Sequence, residues 1–321
     1  MITLTKIAKL ANVSVSTASK AFSGNSEVNE ETRELIFSIA KQHHCFKKYY
    51  NVKYPKLVIA LIAPEFKSTY YTQYLTYIQE TFNKGNCELC VSATNFSAQK
   101  EKELLEYYYK HSDVDAIIVI NAQTDVTEHF EIPVLFINPK IQSSFAVSVC
   151  NDMEPALNSA IDHLISHNLN KIGFIGEKLT EGKFNLFKSL LSKKNVDLDD
   201  SFFCITEKRF EEGGYCAMQS LLKNENLPNA IVCAYDSMAF GAMRCIFDHG
   251  LSVPNDILIL GMDDLPESKY FNPPLASISS RIDEVCCKVA DIVLRSINGE
   301  PVENKNIIKA SFVLRRSFNR P

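Results

Sequence analysis

No stretch of this 321-residue chain reaches the ~18 uncharged apolar residues that a membrane-crossing helix needs. Its opening, MITLTKIAKLANVS, also lacks the long apolar block of a secretory signal. Both absences predict a cytoplasmic protein with no membrane partner. Signatures of catalysis are missing too: there is no G-x-G-x-x-G after the first predicted strand, no G-x-x-x-x-G-K-[ST], no G-x-S-x-G and no H-E-x-x-H. The seven histidines (43, 44, 111, 129, 163, 167 and 249) fall mostly on predicted helix faces or ends and read as solvated. Ten cysteines are present, most of them inside apolar runs such as AIVCAYD and AVSVCND, where cysteine acts as a small hydrophobe and reduced thiols are expected. The single C-x-x-C, Cys87 to Cys90, has no second pair nearby and lies in a predicted strand, so zinc or redox chemistry is not expected there. We therefore expect no catalytic residue, no metal site and no cofactor. No heptad tail follows VLRRSFNRP, which favours a dimer over a tail-zipped tetramer.

A chain of 36.2 kDa is longer than one hydrophobic core usually grows, so two or three domains are expected. With 46% hydrophobic and 22% charged residues it can bury substantial cores. The net charge of -4 hides an asymmetry. Residues 1–56 hold nine Lys or Arg against four Glu, a balance of +5, and the remaining 25 basic and 34 acidic residues leave the rest of the chain at -9. A basic head on an acidic body suits a nucleic-acid partner.

The segment TLTKIAKLANVSVSTASKAFSG has apolar residues at Ile7, Ala8, Leu10, Ala11 and Val13, then Val15, Ala18, Ala21 and Phe22. That spacing predicts helix, turn, helix, with Thr5 capping a first helix over about 6–11, Asn12-Val13-Ser14 turning, and a second helix over about 15–22. A third helix follows an Asn29 cap, has Glu30 and Glu31 in its positive first turn, and carries Leu35, Ile36 and Ile39 on one face. In a helix-turn-helix the second helix enters the major groove by its N-terminal residues. Ser14, Ser16, Thr17 and Ser19 allow close approach to DNA there, and Lys20 can donate to a guanine edge or a phosphate.

Residues 5–24, with the VNEETRELIFSIA that follows, resemble the DNA-binding head of the LacI/GalR family of bacterial transcription regulators, whose pattern is close to AKLAGVSVSTVSRVLNG and then VSEETRERV. The resemblance implies that Val15, Ser16 and Lys20 read bases, while Thr5, Ser14, Thr17 and Asn25 hold the DNA backbone. Lys20 stands where the family usually has arginine, and a point charge on a flexible stem lacks arginine's planar fork. The family's hinge pattern, G-Y-x-P-N-x-x-A-R-x-L, is replaced here by CFKKYYNVKYPKLVIALI. Two readings stand for it. Lys47, Lys48, Lys53 and Lys56 track phosphates while Tyr49, Tyr50 or Tyr54 wedges into the minor groove, or the segment is a basic linker that inserts nothing.

From Leu57 the pattern changes to buried strands alternating with helices, beginning LVIALIAP, YYTQYLTYIQETFNKGN, CELCVSAT, and restarting after Asp152 with KIGFIG, AIVCAYD and ILILGMDD. Such runs imply parallel sheets in right-handed crossovers, arranged as two halves with a ligand expected beyond the strands' carboxyl ends in the cleft between them. AYDSMAFGAMRCIFDHGLSVPNDILILGMDD and YFNPPLASI are similar to further family patterns, so the resemblance covers nearly the whole chain. It implies crossings near Asn151 and Ser277, a final helix near Asp283–Asn298 and a strand Ile307–Val313. It also implies an effector site holding Asp263, with Lys183 where the family often has arginine, Tyr235 where it has asparagine, and Ser68, Tyr70 and Tyr71 after the first strand.

The expected fold is therefore an all-α three-helix helix-turn-helix head (1–46), a linker or atypical hinge (47–56) and an α/β periplasmic-binding-protein-like body (57–321) of two doubly wound parallel-sheet subdomains. The first subdomain is expected over about 57–150 and 279–300, the second over about 151–278 and 301–321. The expected function is a regulator, most simply a repressor, that binds a palindromic double-stranded operator as a homodimer and answers to a sugar-like effector. The alternative, a doubly wound α/β enzyme acting on sugars or nucleotides, has none of the motifs above to support it.

Overall fold

The computed structural model of the chain describes residues 2–43, 45–49, 57–83, 87–126, 130–141, 143 and 145–320. Its head begins with helices α1 (Leu4–Leu10), α2 (Val15–Phe22) and α3 (Glu30–Gln42), followed by a single turn, α4 (Phe46–Tyr49). Ile7, Ala8, Ala18, Ala21, Phe22, Ile36, Ala40 and Cys45 form the head's core. Phe22 anchors it, with ring centroids 5.4 Å from Phe37, 6.0 Å from Phe46 and 5.6 Å from Tyr49.

Several local readings change. The first helix is capped by Thr3, whose hydroxyl accepts from the Lys6 amide, and Thr5 lies inside the first turn with its side chain exposed. Both threonines suit a cap by residue type, and the packing of Ile7 decides which one starts the helix. Leu10 and Leu35 are exposed rather than buried. At about 100° of rotation per residue, a seven-residue helix presents only a narrow stripe inward. Ile7, Ala8 and Ala11 fill it in α1, Ile36 and Ala40 fill it in α3, and the neighbouring leucines turn out. The head's packing also runs past residue 46. Tyr49 lies against Phe22 and its hydroxyl donates to the Ile2 carbonyl at 3.2 Å, so this tyrosine serves the head's core and not a minor-groove wedge. Tyr50, Lys53, Tyr54 and Lys56 lie outside the described residues.

The body forms the rest of two compact units, Met1–Val149 with Cys286–Lys305 and Cys150–Val285 with Asn306–Pro321. In the first, β1 (Leu57–Ala63), α5 (Thr69–Asn83), β2 (Cys87–Ala93), α6 (Ala98–His111), β3 (Ala116–Ile120), β4 (Val134–Ile137) and β5 (Val147–Asp152) wind in succession. In the second come α7 (Glu154–Ser166), β6 (Ile172–Glu177), α8 (Glu181–Lys193), β7 (Phe203–Thr206), α9 (Phe210–Leu221), β8 (Ala230–Cys233), α10 (Asp236–Asp248), β9 (Leu258–Met262) and β10 (Ala276–Ser279). Helix α11 (Ile282–Ile297) and strands β11 (Lys305–Lys309) and β12 (Ser311–Val313) complete the chain.

Among the described residues the sheets run β11-β5-β4-β3-β1-β2 and β12-β10-β9-β8-β6-β7. Strands β1 to β5 pair in parallel, as do β6 to β10, and β12 runs antiparallel to β10. Central strands such as β3, β6 and β9 are buried along their whole length, which is why they read as unbroken apolar runs, whereas the edge strands β2 and β7 are mostly half-buried or exposed. Each sheet reverses its winding once, between β1 and β3 in the first and between β6 and β8 in the second. Ligands of doubly wound sheets bind at such switch points, beyond the strands' carboxyl ends.

The C-terminal boundary differs from expectation. The run KNIIKASFV is two strands and not one: β11 joins the first sheet, with the Ser148 amide donating to Asn304, and β12 joins the second after Ala310 donates to Asp152. The chain thus stays with the first sheet through Lys309 and joins the second at Ser311, rather than crossing at about 301. No glycine or proline marks that step, so the sequence pattern could not show it.

Candidate nucleic-acid interface and ligand site

The turn between α1 and α2 is made by Asn12 in the left-handed conformation (φ 52°), which asparagine tolerates better than most side chains. The Val13 amide then closes back on the Ala8 carbonyl at 2.9 Å. Ser14 caps α2: its hydroxyl accepts from the Thr17 amide at 2.9 Å and lies 2.8 Å from the Thr17 hydroxyl. These two side chains lock the helix start, where backbone N–H groups and the helix dipole favour a phosphate. Ser16 and Ser19 are exposed and turned away from Ala18 and Phe22, Val15 is exposed at the helix start beside that buried stripe, and Lys20 lies one turn beyond Ser16. Asn25 accepts from the Glu27 amide at 2.9 Å and closes the end of α2 through its own amide to the Lys20 carbonyl at 3.0 Å. Ser14, Val15, Ser16, Thr17 and Lys20 are thus carried on one short rigid helix, with Asn25 at its end and Thr5 on α1. Lys47 and Lys48 fall within α4, and their side chains lie outside the described residues.

In the second unit the carboxyl ends of β6, β8 and β9 gather a charged cluster. Lys183, on α8, donates to the Asp263 carboxylate at 3.2 Å and to the Ala234 carbonyl at 2.6 Å. Asp263 is only 7% exposed. Burial pushes its carboxyl up from the ordinary value, and the Lys183 ammonium pulls it back. Asp263 and Asp264 both sit at positive φ, 106° and 54°. Such backbone costs about 1–3 kcal/mol per residue and persists only where the surroundings fix it. Here the Asp263 amide donates to Ile278 at 2.9 Å, the Asp264 amide to Ser277 Oγ at 3.0 Å, and Arg315 grips the Asp264 carboxylate at 2.7 Å.

Beneath them Asp236 is fully buried, accepting from the Leu265 amide (2.7 Å), Ser268 Oγ (2.5 Å) and Ser277 Oγ (2.6 Å). Burial, reinforced by the Asp263 charge, pushes its carboxyl up to about 7 against these hydrogen bonds. The Tyr235 hydroxyl, which the sequence offered to a ligand, instead accepts from the Phe210 amide at 3.1 Å, and burial pushes it up to about 12. Helices α9 and α10 approach closely enough for this because both carry glycine at the contact. A Cβ at Gly214 would lie 1.9 Å from the Met238 carbonyl oxygen, and one at Gly241 1.9 Å from that of Glu211.

The sequence reading missed Glu177 and Arg209. Glu177, buried at the end of β6, accepts from the Leu179 amide at 2.8 Å and from Arg209 Nε at 3.2 Å, and the Arg209 guanidinium lies 4.6 Å from the Phe210 ring centroid. A glutamate closing the apolar run KIGFIGE was the visible signal.

The first unit has an uncharged cluster at the matching place. Tyr71 accepts from Asn121 Nδ2 at 2.8 Å, Tyr70 lies 3.3 Å from Tyr74 hydroxyl to hydroxyl, and Asn138 Nδ2 donates to Tyr74 at 3.4 Å. Asn121 and Asn138 follow β3 and β4 in the left-handed conformation (φ 53° and 48°), another pair that the strand pattern did not single out. Ser68 precedes α5, its carbonyl accepting from the Thr72 amide at 3.2 Å.

Residues 3–44 match the family model of bacterial regulatory proteins, lacI family, and residues 161–318 match that of the periplasmic binding protein-like domain. The chain belongs to the LacI family of bacterial regulators. Over 333 residues it is 26% identical to the ribose operon repressor of Haemophilus influenzae, covering 99% of both chains. It is likewise 26% identical to the HTH-type transcriptional repressor PurR of Klebsiella pneumoniae, over 99% of this chain and 97% of that one. The fold of the Lac repressor dimer bound to operator and the anti-inducer ONPF superposes with a TM-score of 0.74 at 20% identity, over 99% of each chain. These LacI-family relatives are transcriptional repressors rather than enzymes. Among the described residues no group of three His, Cys, Asp or Glu is placed to hold a metal, and no helix is long and apolar enough to cross a membrane.

Proposed function

We propose that this LacI-family regulator is a cytoplasmic repressor that binds a near-palindromic operator as a homodimer and is controlled by a neutral, hydroxyl-rich effector such as a sugar. The observation that carries the DNA-binding part is α2 itself: a helix start locked by Ser14 and Thr17, an outer face of small side chains, and Lys20 one turn on. One such helix reads only a few base pairs, so two heads about one helical turn apart, roughly 34–36 Å, supply the affinity and specificity of an operator.

The effector reading rests on the second unit's cluster. Its cations are paired with carboxylates, Lys183 with Asp263, Arg209 with Glu177 and Arg315 with Asp264, a lining that offers donors and acceptors side by side. Each hydroxyl of a polyol both donates and accepts, and so can be served by such a pair. Tyr235, which follows β8 in the same unit, adds an aromatic face, its hydroxyl being engaged by the Phe210 amide. Ser68, Tyr70 and Tyr71 are the ligand contacts proposed for the first unit's own strand ends. The effector regulates only if it binds the DNA-competent and DNA-incompetent states unequally.

The test is selection of duplexes from a randomised library by the full-length protein, followed by anisotropy titrations. Two inverted half-sites centred about one helical turn apart support the reading. Binding to every duplex alike, or as a monomer on a single half-site, would contradict it. Lys20→Ala should reduce discrimination between selected and random DNA, whereas replacing Lys47 and Lys48 should weaken both alike and flatten the salt dependence.

A further inference from the structure

The carboxylate paired with Lys20 is that of Glu27. Lys20 Nζ donates to Glu27 Oε2 at 2.5 Å, and this pairing holds the Glu27 carboxyl below its ordinary value. Of the four glutamates in residues 1–56, Glu30, Glu31 and Glu34 lie on α3, and Glu27 alone stands in the loop that follows α2.

That loop is fixed on both sides of it. The Glu27 amide donates to Asn25 Oδ1, the Asn25 amide closes on the Lys20 carbonyl, and Arg33 Nη2 holds the Asn25 and Val28 carbonyls at 2.9 and 3.0 Å. Val28 itself is buried in the head's core. Both partners of the ion pair remain substantially solvated, and exposed pairs of this kind add little to folding stability. The consequence of the pair is therefore where it puts the Lys20 ammonium.

We propose that Glu27 is a specificity-determining residue of the DNA interface, pinning Lys20 so that the two side chains together read a G·C pair. This rests on the DNA-binding reading of α2. Lysine reaches guanine O6 and N7 as a point charge on a flexible stem, without the rigid fork that arginine would bring. The Glu27 carboxylate supplies the missing orientation from outside. It also supplies an acceptor beside the donor, and a G·C pair presents to the major groove the guanine acceptors next to the cytosine N4 donor. A phosphate offers acceptors only, so the same carboxylate repels the non-specific alternative for Lys20. Glu27 thus discriminates both between base pairs and between bases and backbone.

The experiment repeats the duplex selection with wild type, Glu27→Gln and Lys20→Ala, and then measures anisotropy on the enriched and random duplexes across salt concentrations. Wild type should enrich G·C at one position of each half-site. Glu27→Gln should lose that position, with discrimination falling roughly tenfold. It should also bind random DNA more tightly, with a salt slope steeper by about 0.9, because Lys20 is released to a phosphate. Lys20→Ala should lose the same position without gaining random-DNA affinity. If Glu27→Gln enriches the same sequences with unchanged discrimination and slope, the proposal is wrong. A variant that strengthens enriched and random duplexes by the same factor would also overturn it, since Glu27 would then act through charge alone. Failure of the wild type to enrich any duplex would refute DNA reading by α2 itself, and Glu27's role with it.

Discussion

The two sheets share a winding order and a switch point, yet the residues at their carboxyl ends differ in kind. The first unit presents Tyr70, Tyr71, Tyr74, Asn121 and Asn138, joined by neutral hydrogen bonds. The second presents Lys183 with Asp263 and Arg209 with Glu177, over the buried Asp236. The strand order sets where a ligand can be held. The side chains set what is held and how firmly, and charged hydrogen bonds are roughly twice as strong as neutral ones. The second unit's cluster should therefore hold the polar groups of a ligand more firmly than the first unit's can.

The largest effect should come from breaking the packing that assembles the charged cluster. Gly241→Ala drives a Cβ against the Glu211 carbonyl and should cost about 1–3 kcal/mol or more, since neither helix backbone can yield without moving the other. Chemical denaturation followed by calorimetry should show the loss in the transition of the second unit. If Gly241→Ala unfolds like wild type, the helices are not held at that contact. Next in size is the asymmetry between clusters. Asp263→Ala should abolish the effector response while leaving operator affinity intact, whereas Tyr71→Phe should weaken the effector severalfold at most, as titrations of operator release will show. Equal losses in the two variants would erase the comparison.

A smaller effect follows from protonation. The folded protein holds the Asp236 carboxyl near 7, above its ordinary 3.8, so it retains a proton that the unfolded chain has already lost. Stability from this group is complete below about pH 4 and declines as pH rises toward about 7, and Asp263, also shifted up, contributes with the same sign. Thermal unfolding midpoints should fall over that window, and Asp236→Asn should flatten the fall. A midpoint that rises from pH 4 to 7 by the same amount in both proteins would assign the pH dependence to other groups. The smallest contrast lies in the head, where Thr3→Ala should cost about 1 kcal/mol of head stability and Thr5→Ala almost none, because only Thr3 caps α1.

Much of this was legible in the sequence because it depends on local spacing. The Asn29 cap, the turn over Asn12-Val13-Ser14 and the α2 boundaries follow from neighbours within a few residues. The strands read clearly where burial on both faces makes them uniformly apolar, as in β3 and β9. What escaped depends on contacts remote in the chain. Lys183 meets Asp263 across 80 residues, so each was nominated without its partner, and Glu177 meets Arg209 across 32, where neither stood out alone. Tyr49 read as a linker residue because its partners, Ile2 and Phe22, are supplied by the other end of the head. The step from β11 to β12 escaped for a different reason, since the two strands abut without a turn residue.

The central claim is that the charged cluster of the second unit is where this regulator recognises a neutral polyol. A thermal-shift screen of the full-length protein against sugars, sugar phosphates, nucleosides and purines tests it directly. The account predicts that one class of neutral sugar stabilises the protein, by about 2.7 kcal/mol at a hundred times its dissociation constant, and that Asp263→Ala removes the shift. Stabilisation by a sugar phosphate or purine instead, or a sugar shift that survives in Asp263→Ala, would contradict it.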